Sequence, residues 1–186
     1  MVFLTREEIK ESLNSINQDE DFDNWFKIVE PILTSHEFQV RRLFKHHENS
    51  VWDHSILVSF RAYKITKRRN LNSRETAIGG LLHDFYPYAW KYSIKLHEYD
   101  DKYLMCIGKK YPLLKKHGFT HAREACYNYQ KYYGEYESDL INDIITKHMF
   151  PLNIKLPKYK ESWIVSYSDK VESIKDLFKG GIKMYK

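Results

Sequence analysis

In this 186-residue chain, histidine and aspartate stand where a helix would place core residues. His54 heads the stripe Leu57, Val58, Ala62 and Ile65. His83-Asp84 closes the most apolar run, Ala77 to Leu82, and His148 extends the stripe Ile141, Ile144 and Ile145. His117 and His121 form a fourth group, in which we take His121 as the inward member and leave His117 in the preceding loop. Asp169 is a fifth candidate, off the apolar line of Ile164, Tyr167, Val171 and Ile174 and on a strip with Ser162, Ser166 and Ser173. A hydrogen-bonded core histidine explains any one of these groups, and a solvated face explains the serine strip. Taken together on separate helices, inward imidazoles and carboxylates are costly unless they share a metal or a hydrogen-bond network. The chemistry such a set offers is metal-assisted activation of water.

The elements that must position these residues read as helices. Thr5 with Glu8 is a capping-box signature, and Asp23-Asn24 precedes a helix from Trp25 to Leu33 broken by Pro31. A helix from His54 ends in the cations of Lys67-Arg68-Arg69, and the next starts near Asn72 with Glu75 three residues on. Its two mid-helix glycines, Gly79 and Gly80, point to close approach by neighbouring helices. Short helices and irregular connections follow to Lys116. Thr120 caps a helix from His121 to Tyr133, Pro151 ends the His148 helix, and a last helix runs from Trp163 to Phe178 before Gly180-Gly181. Only Trp163-Ile-Val reads weakly as a strand. The expected class is all-α: one domain with a helical lead-in over 1–45, a core over 46–178 and a tail over 179–186.

Composition narrows the classes further. Seven Gly and five Pro disfavour a turn-rich sandwich, and the six-residue apolar run is far short of the roughly 20 residues a membrane span needs. The N-terminus turns charged after four residues, unlike a secretory signal. Two cysteines, Cys106 and Cys126, without CxxC spacing suit reduced thiols in a cytoplasm. The net charge of +5 suits a phosphate-bearing partner without naming one. Nine histidines are the compositional oddity. His36 and His97 read as surface residues, and His46-His47 as lining an entrance or simply solvated.

The order His54, His83-Asp84, His121, His148, Asp169 resembles the HD-domain superfamily of metal-dependent phosphohydrolases, over about residues 40 to 178. Leu81-Leu-His-Asp84 matches that family's apolar lead into its HD pair. His121-Ala-Arg-Glu-Ala125 is similar to the His-x-x-x-small element of dinuclear members, and Ile144-Ile-Thr-Lys-His148 to the later histidine helix. Trp52-Asp-His54, His117-Gly-Phe-Thr-His121, Lys147-His-Met-Phe-Pro151 and Tyr159-Lys-Glu-Ser162 look like a subgroup of small bacterial HD proteins. The resemblance implies a helical bundle of about five core helices with extra N-terminal helices. It implies that His54, His83, Asp84 and Asp169 hold one divalent transition metal, and that Asp84 bridges to a second held by His121 and His148. His83 and Asp84 then carry the chemistry. Such ligation suits Fe, Mn, Co or Zn.

Some family members place a lysine three residues after the HD aspartate, where this chain has Pro87. Arg61, Arg123 and Lys170 are the candidates to meet phosphate instead, with Trp52 and His117 also at the substrate. Tyr86, Trp90 and Phe150 could stack on a nucleobase or belong to the core. The expected function is hydrolysis of a small phosphoester or phosphoanhydride, most plausibly a nucleotide, by a metal-activated water. No membrane partner is expected, and nucleic acid is not the favoured one. Two other classes stand beside it: a di-iron oxygenase on the same ligand set, and a non-catalytic module that binds nucleotide or nucleic acid.

Overall fold

A computed structural model describes residues 3–14, 16, 18–46, 49–86 and 117–183. The chain is all-α. Helix α1 (Arg6–Ser12) starts on the expected capping box, Thr5 Oγ1 accepting from Glu8 N–H while Glu8 accepts from Thr5 N–H. Helix α2 (Glu20–Leu33) begins earlier than Trp25, because Asp19 accepts from Phe22 N–H and caps it there. Pro31 does not break it: it lies in the last turn, where a missing N–H removes a single bond near the natural end. A short α3 (His36–Gln39) and a 3-10 turn (Val40–Leu43) lead into the only β structure among the described residues. That is a two-residue antiparallel ladder pairing Lys45 with Ser50 and His46 with Asn49.

Five helices build the core. Helix α4 (Val51–Arg68) is opened by a second capping box, Ser50 with Asp53, and α5 (Ser73–Leu82) is capped by Asn72 as its sequence foretold. Helix α6 (His117–Tyr133) starts three residues before the expected cap, so Thr120 lies inside it and His117 and His121 share one helix. Gly118 does not interrupt that helix, since glycine weakens a helix without forbidding it. Helix α7 (Asp139–Lys147) is capped by Ser138 and ends at His148, ahead of Pro151. Helix α8 (Lys160–Lys183) absorbs the weak strand signal at Trp163 and continues past Phe178 through Gly180 and Gly181, so the expected tail is helical to Lys183.

Helix α4 packs along α5 and α8, and α5 along α7. The contacts are as close as the glycines suggested. A Cβ on Gly80 would lie 3.1 Å from Ser59 Cα of α4, and one on Gly79 2.9 Å from Ile144 Cδ1 of α7. The lead-in is tied to this core: Phe22, Trp25, Phe26, Ile32 and Leu33 are buried, and Trp25 Nε1 donates at 2.9 Å to Ser59 Oγ, which donates to Ala77 O. Among the described residues no helix is long and apolar enough to cross a membrane. His47, Pro87, Trp90, His97, Cys106 and the expected short helices up to Lys116 lie outside the described residues, as does the side chain of His46.

Candidate metal centre

Each of the five core helices brings at least one polar side chain to a common point. His54 comes from the first turn of α4. His83 caps the C-terminus of α5 and Asp84 follows it in the next turn. His121 lies one turn into α6, His148 caps the C-terminus of α7, and Asp169 is on α8. All six are buried. Three overlapping groups each offer ligand atoms within 4.8 Å of one another: His54 with His83 and Asp84, His83 with His148 and Asp169, and Asp84 with His121 and His148.

The two oxygens of Asp84 face different partners. Oδ2 is 3.6 Å from His83 Nε2, whereas Oδ1 is 3.4 Å from His121 Nε2 and 3.6 Å from His148 Nε2. Asp169 Oδ1 lies 3.1 Å from His54 Nε2 and 3.8 Å from His83 Nε2. The carboxylates thus alternate with the imidazoles instead of facing each other.

Local backbone settles which nitrogen each ring presents. His83 Nδ1–H donates to Gly80 O, His121 Nδ1–H to His117 O and His148 Nδ1–H to Ile145 O, each at 2.8 Å. Position 83 and position 148 can do this because the last carbonyls of a helix have no intrahelical donor. A neutral imidazole that spends its proton on Nδ1 leaves a lone pair on Nε2. In their neutral form the three rings therefore turn Nε2 lone pairs inward, and the Nε2 atoms of His121 and His148 stand 3.0 Å apart. Two lone pairs at that distance repel unless a proton or a metal cation lies between them. His83 Nε2 is fully buried without a hydrogen bond of its own. Buried orphan nitrogens alternating with carboxylates fit a divalent transition metal.

Protonation follows the same field. Burial opposes a charge on His83, but Asp84 and Asp169 outweigh it and lift the imidazole to about 9. Burial, joined by repulsion from His83 and His121, pushes His148 down to about 3. For Asp169, burial works against ionisation, yet the imidazoles of His54 and His83 beside it hold its carboxyl well below the usual range. In the absence of a cation the His83 ring therefore favours its charged form, with a proton on Nε2 in place of the lone pair.

The expected substrate residues are placed less uniformly. Arg61 Nε donates to the buried carboxylate of Glu172. Lys170 Nζ is turned inward onto His148 O at 3.2 Å and Ser166 Oγ at 2.7 Å, and its burial lowers its pKa. Trp52 and Tyr86 are buried, and the half-buried Phe150 packs edge-on against Trp163. By contrast, Arg123 is exposed, and the half-buried His117 stacks on His121 with ring centroids 4.7 Å apart. His36 is exposed, as expected.

Sequence reasoning missed the outer supports. Ser166 Oγ donates to His148 O at 2.6 Å, clamping α7's end to α8. Asp143 accepts from Lys158 N–H and Ser162 Oγ, which pins the segment after His148. Asp176, with no exposed side-chain surface, stands 4.0 Å behind His54 Nδ1. The signal was present: Asp176 continues the strip Ser162, Ser166, Asp169 and Ser173 at helical spacing.

The HD domain family model matches residues 51–174, about two thirds of the chain and the span from α4 into α8. No curated protein and no solved structure matches the chain.

Proposed function

Because the chain belongs to the HD domain family, we propose that it is a metal-dependent phosphohydrolase acting on a small phosphoester or phosphoanhydride, with a nucleotide as the favoured substrate. One observation carries this reading. Three histidines anchored through Nδ1 turn Nε2 toward a buried point flanked by two carboxylates, an arrangement of donors suited to Fe, Mn, Co or Zn. His54, His83, Asp84 and Asp169 would hold one ion and His121 and His148, with the second oxygen of Asp84, another. A bound ion or ion pair supplies an activated water and positive charge for the phosphoryl oxygens. The chain's own contribution is positional. Asp84 and Asp169 supply the negative charge that retains cations in a dry site, and the histidines hold their lone pairs in fixed directions.

At the rim, His117 beside His121 and the exposed Arg123 are the groups we assign to the substrate. Arg61 and Lys170 are engaged by Glu172 and by the His148 carbonyl, so their part is to stabilise the centre from behind. We take residues 1–45 as part of the same domain as 46–178, and a cytoplasmic setting as consistent with the free Cys126.

The test is turnover by protein loaded separately with Mn, Co, Zn or Fe against a panel of nucleotides, dinucleotides and phosphomonoesters, following release of phosphate or nucleoside. We expect activity that His83→Ala and Asp84→Ala abolish together with metal binding, both variants keeping their helical circular dichroism, while His97→Ala changes neither. Absence of turnover across all metals and substrates would overturn the proposal. A redox-sensitive charge-transfer band in the iron form without hydrolysis would replace it with oxygenase chemistry.

A further inference from the structure

We propose that Asp176 is a positioning residue for His54, fixing the proton of that ring on Nδ1 so that Nε2 is held as a metal ligand. The inference rests on the metal-centre reading above. Three of the four clustered histidines direct Nδ1–H to a backbone carbonyl three or four residues earlier: Gly80, His117 and Ile145. His54 sits in the first turn of α4, where the unpaired backbone groups of a helix are N–H donors. What the fold sets behind its Nδ1 is a carboxylate. Asp176 Oδ2 stands 4.0 Å away, and neither side chain has any exposed surface. A shift of about 1 Å would close a hydrogen bond between them.

Two further features support the assignment. Asp176 lies seven residues after Asp169 on α8, so one helix face presents one carboxylate to each edge of the same imidazole, Asp169 to Nε2 at 3.1 Å and Asp176 to Nδ1. A fully buried carboxylate is costly unless it is paired, and a carboxylate behind a ligating histidine repays that cost by fixing its tautomer and raising its basicity.

The probe is Co2+, titrated into the full chain while its visible d–d absorption and the thermal midpoint are followed, for the wild type, Asp176→Asn and Asp176→Ala. We expect Asp176→Ala to weaken Co2+ binding by about tenfold or more and to alter the visible spectrum. Asp176→Asn keeps an oxygen that can accept from Nδ1–H but loses the charge, and should fall between the two. A purely structural Asp176 would lower the midpoint of the metal-free variants while leaving the Co2+-induced rise and the spectrum as in the wild type. That outcome overturns the inference. Should Asp176→Ala not fold, the decision passes to Asp176→Asn and to 15N-histidine spectra of the Zn2+-loaded protein, where His54 Nδ1–H must be strongly hydrogen-bonded and that signature must weaken in Asp176→Asn. If the wild type itself takes up no Co2+, the metal-centre reading fails. If it does and both variants match it, only the role of Asp176 falls.

Discussion

The residue on which the proposed metal chemistry turns is a histidine whose surroundings favour a proton on its ring. His83 is lifted to about 9 by the field of Asp84 and Asp169 against the cost of burial. Metal uptake must therefore displace that proton. The sign follows directly: at pH 6 the ring is protonated and competes with metal, and competition fades as the pH approaches 9. We expect the apparent affinity for Co2+ to rise by about tenfold per pH unit between pH 6.5 and 8.5, with about one proton released per ion bound, measured by titration in buffers of different ionisation enthalpy. In the metal-free protein the same raised value stabilises the fold below the unfolded imidazole's ordinary value, and that contribution is lost as the pH climbs through about 9. His148, depressed to about 3, acts in the opposite direction: its contribution is present above the ordinary value and fades as the medium is acidified toward 3.

At the scale of the elements, the site exists because helices approach unusually closely at one level of α5. Gly80 is three residues before His83, and its missing side chain lets the backbone of α4 pass. An alanine there would meet Ser59 Cα at 3.1 Å, an atom that moves only if α4 moves, whereas at Gly79 it would meet the side chain of Ile144. Overpacking of this kind costs about 1–3 kcal/mol, and alanine's better helix propensity returns about 1 kcal/mol. Gly80→Ala should therefore be less stable by up to about 2 kcal/mol, a fall of up to several degrees in the thermal midpoint at roughly 2–4 °C per kcal/mol. Since α4 carries His54, it should also weaken metal binding. A variant as stable as the wild type with full metal affinity would refute the packing argument. The glycines, the caps at Thr5 and Asn72 and the ends of α4 and α7 were legible because each rests on local chemistry. Helix α8 was legible only in part. The pattern left open which side of it faces inward: Ile164 of the apolar line is buried, but Tyr167 is 58% exposed and Ile174 52% exposed, while Ser162, Ser166 and Asp169 are buried. Periodicity reports which face is apolar, and this helix turns its polar face inward, where Asp169 joins the buried histidines of the other helices.

For the whole molecule, the centre is a junction of five helices whose contributing residues span positions 54 to 169 in the chain. An ion bound there ties α4, α5, α6, α7 and α8 together, and a ligand that binds only the folded state stabilises it by about 2.7 kcal/mol at a hundredfold excess over Kd. Chelation should thus lower the thermal midpoint by several degrees, and readdition of Co2+ should restore it. His83→Ala, in contrast, should show no response to either treatment.

The sequence alone determined the helical class, several helix ends and the six polar positions that converge, because capping and periodicity are local properties of the chain and the His and Asp motif is read from their order along it. Tertiary structure decided what those residues have as neighbours. It placed His117 and His121 on one helix, gave Lys170 the His148 carbonyl and Arg61 the Glu172 carboxylate as partners, and brought Asp176 behind His54. The physical reason is distance along the chain. A cap or a stripe is fixed within a turn or two, but the partner of a buried charge is chosen by how separate helices pack, and no local pattern encodes that choice.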